Sequence, residues 1–97
     1  MQLYGIRRRQ GWATPEQLQA TAPVSAEIGD LAGSGVRWIR SYAIQEADGA
    51  LGTFCVYEAD SPEAIRAHAE AVGMPADEIA VVADTLVVRP DPVPAGG

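Results

Sequence analysis

Three residues of types that bind metals or transfer protons stand in the second half of the chain: Cys55, Glu58 and His68. Cys55 is the only cysteine and His68 the only histidine, and a thiolate with a neighbouring base could act as a nucleophile. Lone residues of these types are more often packing residues, so no catalytic residue is assigned. Thiolate, carboxylate and imidazole also suit a divalent metal, and the three residues are the candidate metal ligands, although Glu58 is more simply explained by a local ion pair.

A second set of residues combines aromatic rings with one guanidinium and one thiol. Alternate side chains of a strand point to opposite faces of the sheet, and compact apolar residues are expected to face the helices. Those compact residues are Ile39, Ala43, Phe54 and Val56. The uncovered face then holds the candidate ligand-binding residues Trp38, Arg40, Tyr42, Cys55 and Tyr57.

This predicted aromatic surface is larger than a monomer usually exposes to water. A second copy of the chain is the simplest cover, because symmetric dimers are common and interface cores are rich in aromatic residues and arginine. A small-molecule pocket on the same face is a compatible alternative. We predict a homodimer that binds a small molecule there; a metal-binding protein and an accessory protein that docks a larger partner are the other two hypotheses.

Two capping patterns predict the helices that position these residues. Thr14 is followed by proline and by glutamine at the third position, which predicts a helix over 14–32. Ser61 begins a second pattern of the same kind, with a helix over 62–72 that ends at Gly73. His68 lies at the edge of the apolar stripe of this second helix, so we expect it to pack on the sheet, near Glu58 or Cys55.

Four segments have the composition of strands: 3–9, 36–44, 53–58 and 79–88. Asp48-Gly49 predicts a hairpin turn between the middle two. The order β-α-β-β-α-β predicts an α+β, ferredoxin-like fold, with a four-stranded antiparallel sheet and two helices on one face. We expect one domain over 1–88 and a flexible proline-rich tail over 89–97.

Charge and composition exclude several classes of partner. The net charge of −6 disfavours nucleic acid. The run 7–9 of arginines alternates between faces, which favours a solvated strand end over an anion site. One cysteine allows no internal disulfide, and no segment resembles a signal peptide or a membrane span. The expectation is a cytoplasmic protein without nucleic-acid or membrane partners.

Short segments at 14–18, 36–42, 54–59 and 67–79 are similar in order and spacing to a known family. From about residue 4 to 82 the chain resembles the small nickel-binding, ferredoxin-like family of otherwise uncharacterised bacterial proteins. The resemblance implies a dimer and, as in at least one studied member, nickel bound through histidine-rich positions. His68 matches a family histidine, whereas Val72 stands where some members carry a second one. One imidazole per chain predicts weaker nickel binding than in histidine-rich relatives, unless a dimer pools ligands.

Overall fold

The computed structural model describes residues 1–92, and part of the predicted tail, 93–97, lies outside the described residues. The predicted α+β class is confirmed, and the element order is consistent with a ferredoxin-like fold. The elements are β1 (Gln2–Trp12), α1 (Pro15–Gly29), β2 (Val36–Gln45), β3 (Leu51–Ala59), α2 (Pro62–Val72) and β4 (Glu78–Val81).

The four strands form one antiparallel sheet in the order β2-β3-β1-β4. The predicted turn joins β2 to β3, where Gly49 has the left-handed φ of 89° that glycine adopts readily. Both helices cover the same side of the sheet, since Ser25 of α1 and His68 of α2 each contact Tyr57 of β3. We call this the covered side and the opposite one the open side.

The helix starts are as predicted, and one helix end differs. Thr14 and Ser61 each cap a helix by accepting a backbone hydrogen bond, and α2 ends at Gly73 as expected. In contrast, α1 ends at Gly29, three residues before the predicted end at residue 32. The hydroxyl of Ser34 donates to the Gly29 carbonyl at 2.7 Å and so provides a partner for a carbonyl of the last turn.

A bulge in β2 separates residues that the sequence placed on one face. The pairing of β2 with β3 shifts between Trp38 and Arg40, which leaves Ile39 as the extra residue. Trp38 therefore packs on the covered side against Tyr57, while Arg40 and Tyr42 point to the open side. The prediction that all three aromatic residues share the open face was wrong for Trp38 and Tyr57.

The faces of β3 are the reverse of those predicted. Cys55 and Tyr57 are buried on the covered side, and Phe54 is exposed on the open side, where Val56 also lies. The reason is a contact with the neighbouring strand: a Cβ atom at Gly5 would lie 2.9 Å from Cζ of Phe54. The glycine thus leaves room for the Phe54 ring on the open side, and Cys55 turns inward.

The last strand is shorter than predicted, because β4 ends at Val81 rather than at residue 88. The chain then leaves the sheet edge at β4, and Asp91 reaches β2 on the opposite edge. On the way it exposes three consecutive apolar side chains, Leu86, Val87 and Val88. No helix within residues 1–92 is long and apolar enough to cross a membrane.

The core lies between the helices and the covered side of the sheet. Ile6 of β1 and Ile65 of α2 are completely buried, and Tyr4 and Tyr57 pack in the same cluster. Burial of such a side chain stabilises the fold by about 1.5–3 kcal/mol. This cluster fixes β1, β3 and α2 as the rigid support for the neighbouring site.

Candidate functional site

A cavity of about 190 Å³ lies between α1 and the covered side of the sheet. Leu18 and Ala22 of α1 form one wall, and Trp12, Trp38 and Tyr57 of the sheet form another. The β2 bulge contributes directly, because it turns the Trp38 ring towards α1 rather than towards the open side. The walls are mainly apolar, as is typical of small-molecule sites.

The indole and hydroxyl groups of the cavity wall already have partners within the chain. Nε1 of Trp38 donates to Ser41 at 2.7 Å, and Nε1 of Trp12 donates to Thr21 at 3.0 Å. These hydrogen bonds fix the orientation of both indole rings, so the cavity is bounded by rigid walls.

Arg8 is the one charged residue that lines the cavity, and its side chain is completely buried. Its Nε donates to the carbonyl of Pro75 at 2.6 Å, and Nη1 donates to Sγ of Cys55 at 3.0 Å. The guanidinium carbon lies 5.8 Å from the centre of the Tyr57 ring, a cation–π distance. Nη2 has no hydrogen-bond partner among the described residues. A buried ion without a counter-charge costs on the order of several kcal/mol, and arginine cannot lose its proton to avoid that cost.

Tyr57 connects the cavity to the second helix. Its ring stacks on Trp38 at 6.3 Å between centroids and lies 5.6 Å from the His68 ring. Burial raises the pKa of Tyr57 above its ordinary value of 10.0, and the hydrogen bond with Ser25 partly opposes that rise. The phenol is therefore neutral at physiological pH and acts as a packing and hydrogen-bonding group.

His68 is buried beneath α2, as its position on the helix predicted. Its Nε2 lies 3.0 Å from the carbonyl oxygen of Ser25, so this nitrogen carries the hydrogen and donates it. A Cβ atom at Gly29 would lie 3.3 Å from the same nitrogen, and glycine there lets α1 and α2 approach closely. This histidine holds the two helices together.

The three candidate metal ligands occupy three different environments. Sγ of Cys55 accepts from Arg8, Nε2 of His68 donates to the backbone of α1, and Glu58 pairs with Arg37 on the open side at 3.3 Å. No hydrogen bond joins Cys55 to His68 within the described chain. Over residues 1–92, no three His, Cys, Asp or Glu side chains are grouped so that they could hold a metal ion. The donors of a single chain therefore do not fit a nickel centre.

The open side carries the other two predicted ligand-binding residues. Arg40 and the hydroxyl of Tyr42 both donate to one carboxylate oxygen of Asp91, at 3.2 and 2.7 Å. The hydrogen bond to Asp91 raises the pKa of Tyr42 above 10.0. Phe54 lies beside them, and the predicted set is thus divided between the two sides of the sheet.

The sequence interpretation missed Arg8, which it placed on a solvated strand end. The sequence did contain a signal, because alternate residues of a strand face the same side of the sheet. Arg8 alternates with Tyr4 and Ile6, two residues of the core. The neighbouring arginines follow the opposite parity: Arg7 pairs with Glu46 at 2.6 Å and Arg9 with Glu78 at 3.0 Å.

Comparison with known proteins identifies relatives of the whole fold. The family model described as nickel responsive protein SCO4226-like matches residues 4–82. The solved structure titled "Crystal structure analysis of SCO4226 from Streptomyces coelicolor A3(2)" is similar with a TM-score of 0.69 and 24% sequence identity, covering 87% of this chain and 99% of that chain. That likeness concerns the fold, and comparison with curated proteins found no match. By its family match, the chain belongs to the SCO4226-like nickel responsive protein family.

Proposed function

We propose that this protein binds a small molecule in the cavity beneath α1 and that it works as a homodimer. The cavity, which is partly open to solvent, carries the proposal, since concave and mainly apolar sites with a few polar groups are where proteins usually bind small molecules. Its volume of about 190 Å³ exceeds that of an engineered cavity of about 150 Å³ that binds benzene. The proposed ligand is therefore about the size of one ring with a small substituent.

The proposed site differs from the one that the sequence predicted. It keeps Trp38, Cys55 and Tyr57, which line the cavity, and leaves Arg40 and Tyr42 to the open side. Aromatic walls with a few polar groups are the usual composition of a ligand pocket. The fold supports this placement, because residues of α1 and of the covered side of the sheet line the same cavity.

A cavity-filling substitution tests the proposal. Ala22→Leu adds three methylene-sized groups at the cavity wall, while Ala20→Leu makes the same change at an exposed position of the same helix. One-ring molecules, neutral and charged, are screened by calorimetry and by their effect on the melting temperature. We expect at least one to bind the wild type and Ala20→Leu, and to bind Ala22→Leu much more weakly. Binding that is equal in the two variants contradicts the proposed location.

The homodimer is supported by apolar side chains on and near the open side. Ile39, Tyr42 and Phe54 are 44%, 43% and 38% exposed, and they belong to two adjacent strands. Exposed aromatic and apolar groups in one area are characteristic of protein interfaces. A second copy is the proposed cover, because a symmetric interface would pair these groups with themselves.

Light scattering tests the dimer with a matched pair of variants. Phe54→Glu places a charge on the open side, and Val24→Glu places one at a similarly exposed position of α1. We expect the wild type and Val24→Glu to have the mass of a dimer at tens of micromolar, and Phe54→Glu to have that of a monomer. A monomeric wild type, or a dimeric Phe54→Glu, contradicts the proposed interface.

Nickel binding is the second candidate function, favoured by the description of the family. His68 is the only histidine of the chain, and its Nε2 is engaged with Ser25. Its Nδ1 has no hydrogen-bond partner among residues 1–92 and could ligate a metal, so a site would need its further ligands from the second copy of a dimer or from a rearrangement of the chain. Calorimetric titration of tag-free protein with nickel, repeated on His68→Ala, tests this candidate.

A further inference from the structure

Among residues 1–92, no carboxylate forms an ion pair with Arg8. The ion pairs formed by residues 1–92 use Arg7, Arg9, Arg37, Arg40 and Arg66, and none of them involves Arg8. Each of those five arginines is at least partly exposed or pairs with a carboxylate, whereas Arg8 is 0% exposed. The one fully buried guanidinium of residues 1–92 thus belongs to a residue that lines the cavity and forms no ion pair with a carboxylate of those residues.

We infer that the cavity binds a small monocarboxylate and that Nη2 of Arg8 donates to its carboxylate. This inference rests on the proposed function and names the chemical class of its ligand. Nη2 has no hydrogen-bond partner among residues 1–92, and Arg8 lines the cavity, so an anion that reaches Nη2 from the cavity would satisfy both the hydrogen bond and the charge.

The single positive charge of the wall favours a carboxylate over a phosphate. Ser25 is bonded to Tyr57, and Thr53 accepts from the thiol of Cys55 at 3.4 Å. Ser41 accepts from the Trp38 indole. Thr53 and Ser41 accept in these contacts and keep their own O–H hydrogens, so Arg8 is the positive charge of the site and not its only donor. One buried guanidinium balances one carboxylate, whereas a phosphate dianion would bring a second negative charge into a mainly apolar cavity.

The remainder of the ligand is apolar and compact. Leu18, Ala22 and Trp38 bound the part of the cavity that α1 covers, and the total volume is about 190 Å³. A benzene-sized body fills about 150 Å³ of such space and leaves room for a carboxylate. Aromatic and branched aliphatic carboxylates of this size fit the description.

Paired probes on the wild-type protein test the inference. Benzoate is compared with benzamide, which has the same shape without charge, and isovalerate is compared with isovaleramide. We expect the more tightly bound carboxylate to have a dissociation constant about tenfold or more below that of its amide. A charge-assisted hydrogen bond typically contributes at least a factor of about ten in affinity. Equal affinity within both pairs overturns the carboxylate inference and leaves the proposed cavity in place. Absence of binding by all four probes at millimolar concentration contradicts both.

Two variants locate the charge that recognises the carboxylate. Arg8→Met keeps a long apolar side chain in the wall, and Arg37→Met removes an exposed arginine of β2 as the control. The preference for carboxylate over amide is expected to disappear in Arg8→Met and to persist in Arg37→Met. A preference that survives in Arg8→Met overturns the assignment. Should Arg8→Met fail to fold, the comparison of acid and amide on the wild type still decides.

Discussion

Each side of the sheet carries an arginine close to a tyrosine, and the two sides differ in whether a carboxylate pairs with them. On the open side, Arg40 and Tyr42 both donate to the carboxylate of Asp91. On the covered side, Arg8 lies over the ring of Tyr57, and no carboxylate of the part of the chain that the structure describes pairs with either residue. The open-side arginine thus has a carboxylate partner, whereas the covered-side arginine has none among residues 1–92.

This difference assigns different roles to two similar clusters. A guanidinium with its carboxylate in place, exposed to water, contributes little free energy and is free to form part of a dimer interface. A buried guanidinium without one destabilises the ligand-free protein and gains most from an anion. Binding energy is therefore expected on the covered side, where the sequence alone had not placed it.

The largest contrast is expected from removing the two tyrosine rings. Tyr57 is 1% exposed and contacts Trp38 and His68, so Tyr57→Ala should lower the free energy of unfolding by about 3–5 kcal/mol. Tyr42→Ala removes a 43% exposed ring and should have a far smaller effect. Urea unfolding of both variants measures the difference. Losses of similar size would show that the open side is as tightly packed as the covered side.

Removing the arginine charge from each side should change the free energy of unfolding differently on the two sides. Arg8→Met takes an unpaired charge out of the interior, so the free energy of unfolding without ligand should stay constant or rise by about 1–4 kcal/mol. Arg40→Met should change it little, because that side chain is half exposed. Chemical denaturation of the ligand-free proteins provides the comparison. A marked loss in Arg8→Met would mean that its contacts with Pro75 and Cys55 already compensate the charge.

A smaller effect concerns stability at alkaline pH. Because burial raises the pKa of Tyr57 above 10.0, the unfolded chain releases this proton at lower pH than the folded protein. The contribution to stability is complete below about pH 10 and is lost as the pH rises through the folded-state pKa. Tyr57→Phe should weaken this alkaline loss, at a cost of about 1 kcal/mol near neutral pH for the Ser25 hydrogen bond. An unchanged alkaline slope would contradict the assignment to Tyr57.

The weakest expected effect is that of nickel. His68 lies on the covered side and donates to Ser25, with neither Cys55 nor Glu58 beside it as a co-ligand. We predict attachment in the micromolar-to-millimolar range, as for an unsupported imidazole. Titration calorimetry would reveal a stoichiometric nanomolar complex if this prediction is wrong. Loss of such a complex in His68→Ala would move nickel binding to first place.

Features set by neighbouring residues could be predicted from the sequence. The start and end of α2 follow from Ser61 and Gly73, and the hairpin follows from Gly49. The end of β4 could not be predicted, because residues 82–88 have strand composition but lie beyond the pairing with β1. Local chemistry determines caps and turns, whereas strand length depends on a distant partner.

The candidate site required information that a single strand does not contain. Trp38 and Arg40 have the same parity, and only the bulge at Ile39 sends them to opposite sides. The inward turn of Cys55 depends on Gly5, a residue of another strand, which leaves room for Phe54. Arg8 could have been recognised from its alternation with Ile6, but the charge of the arginine run outweighed that pattern in the interpretation.

A crystal structure of the protein with its tightest-binding one-ring carboxylate tests the central claim most directly. We predict electron density for the ring between Leu18 and Trp38, with the carboxylate within hydrogen-bond distance of Nη2 of Arg8. Density for the ligand on the open side beside Arg40, or a cavity closed by the movement of α1 onto the sheet, would contradict the account.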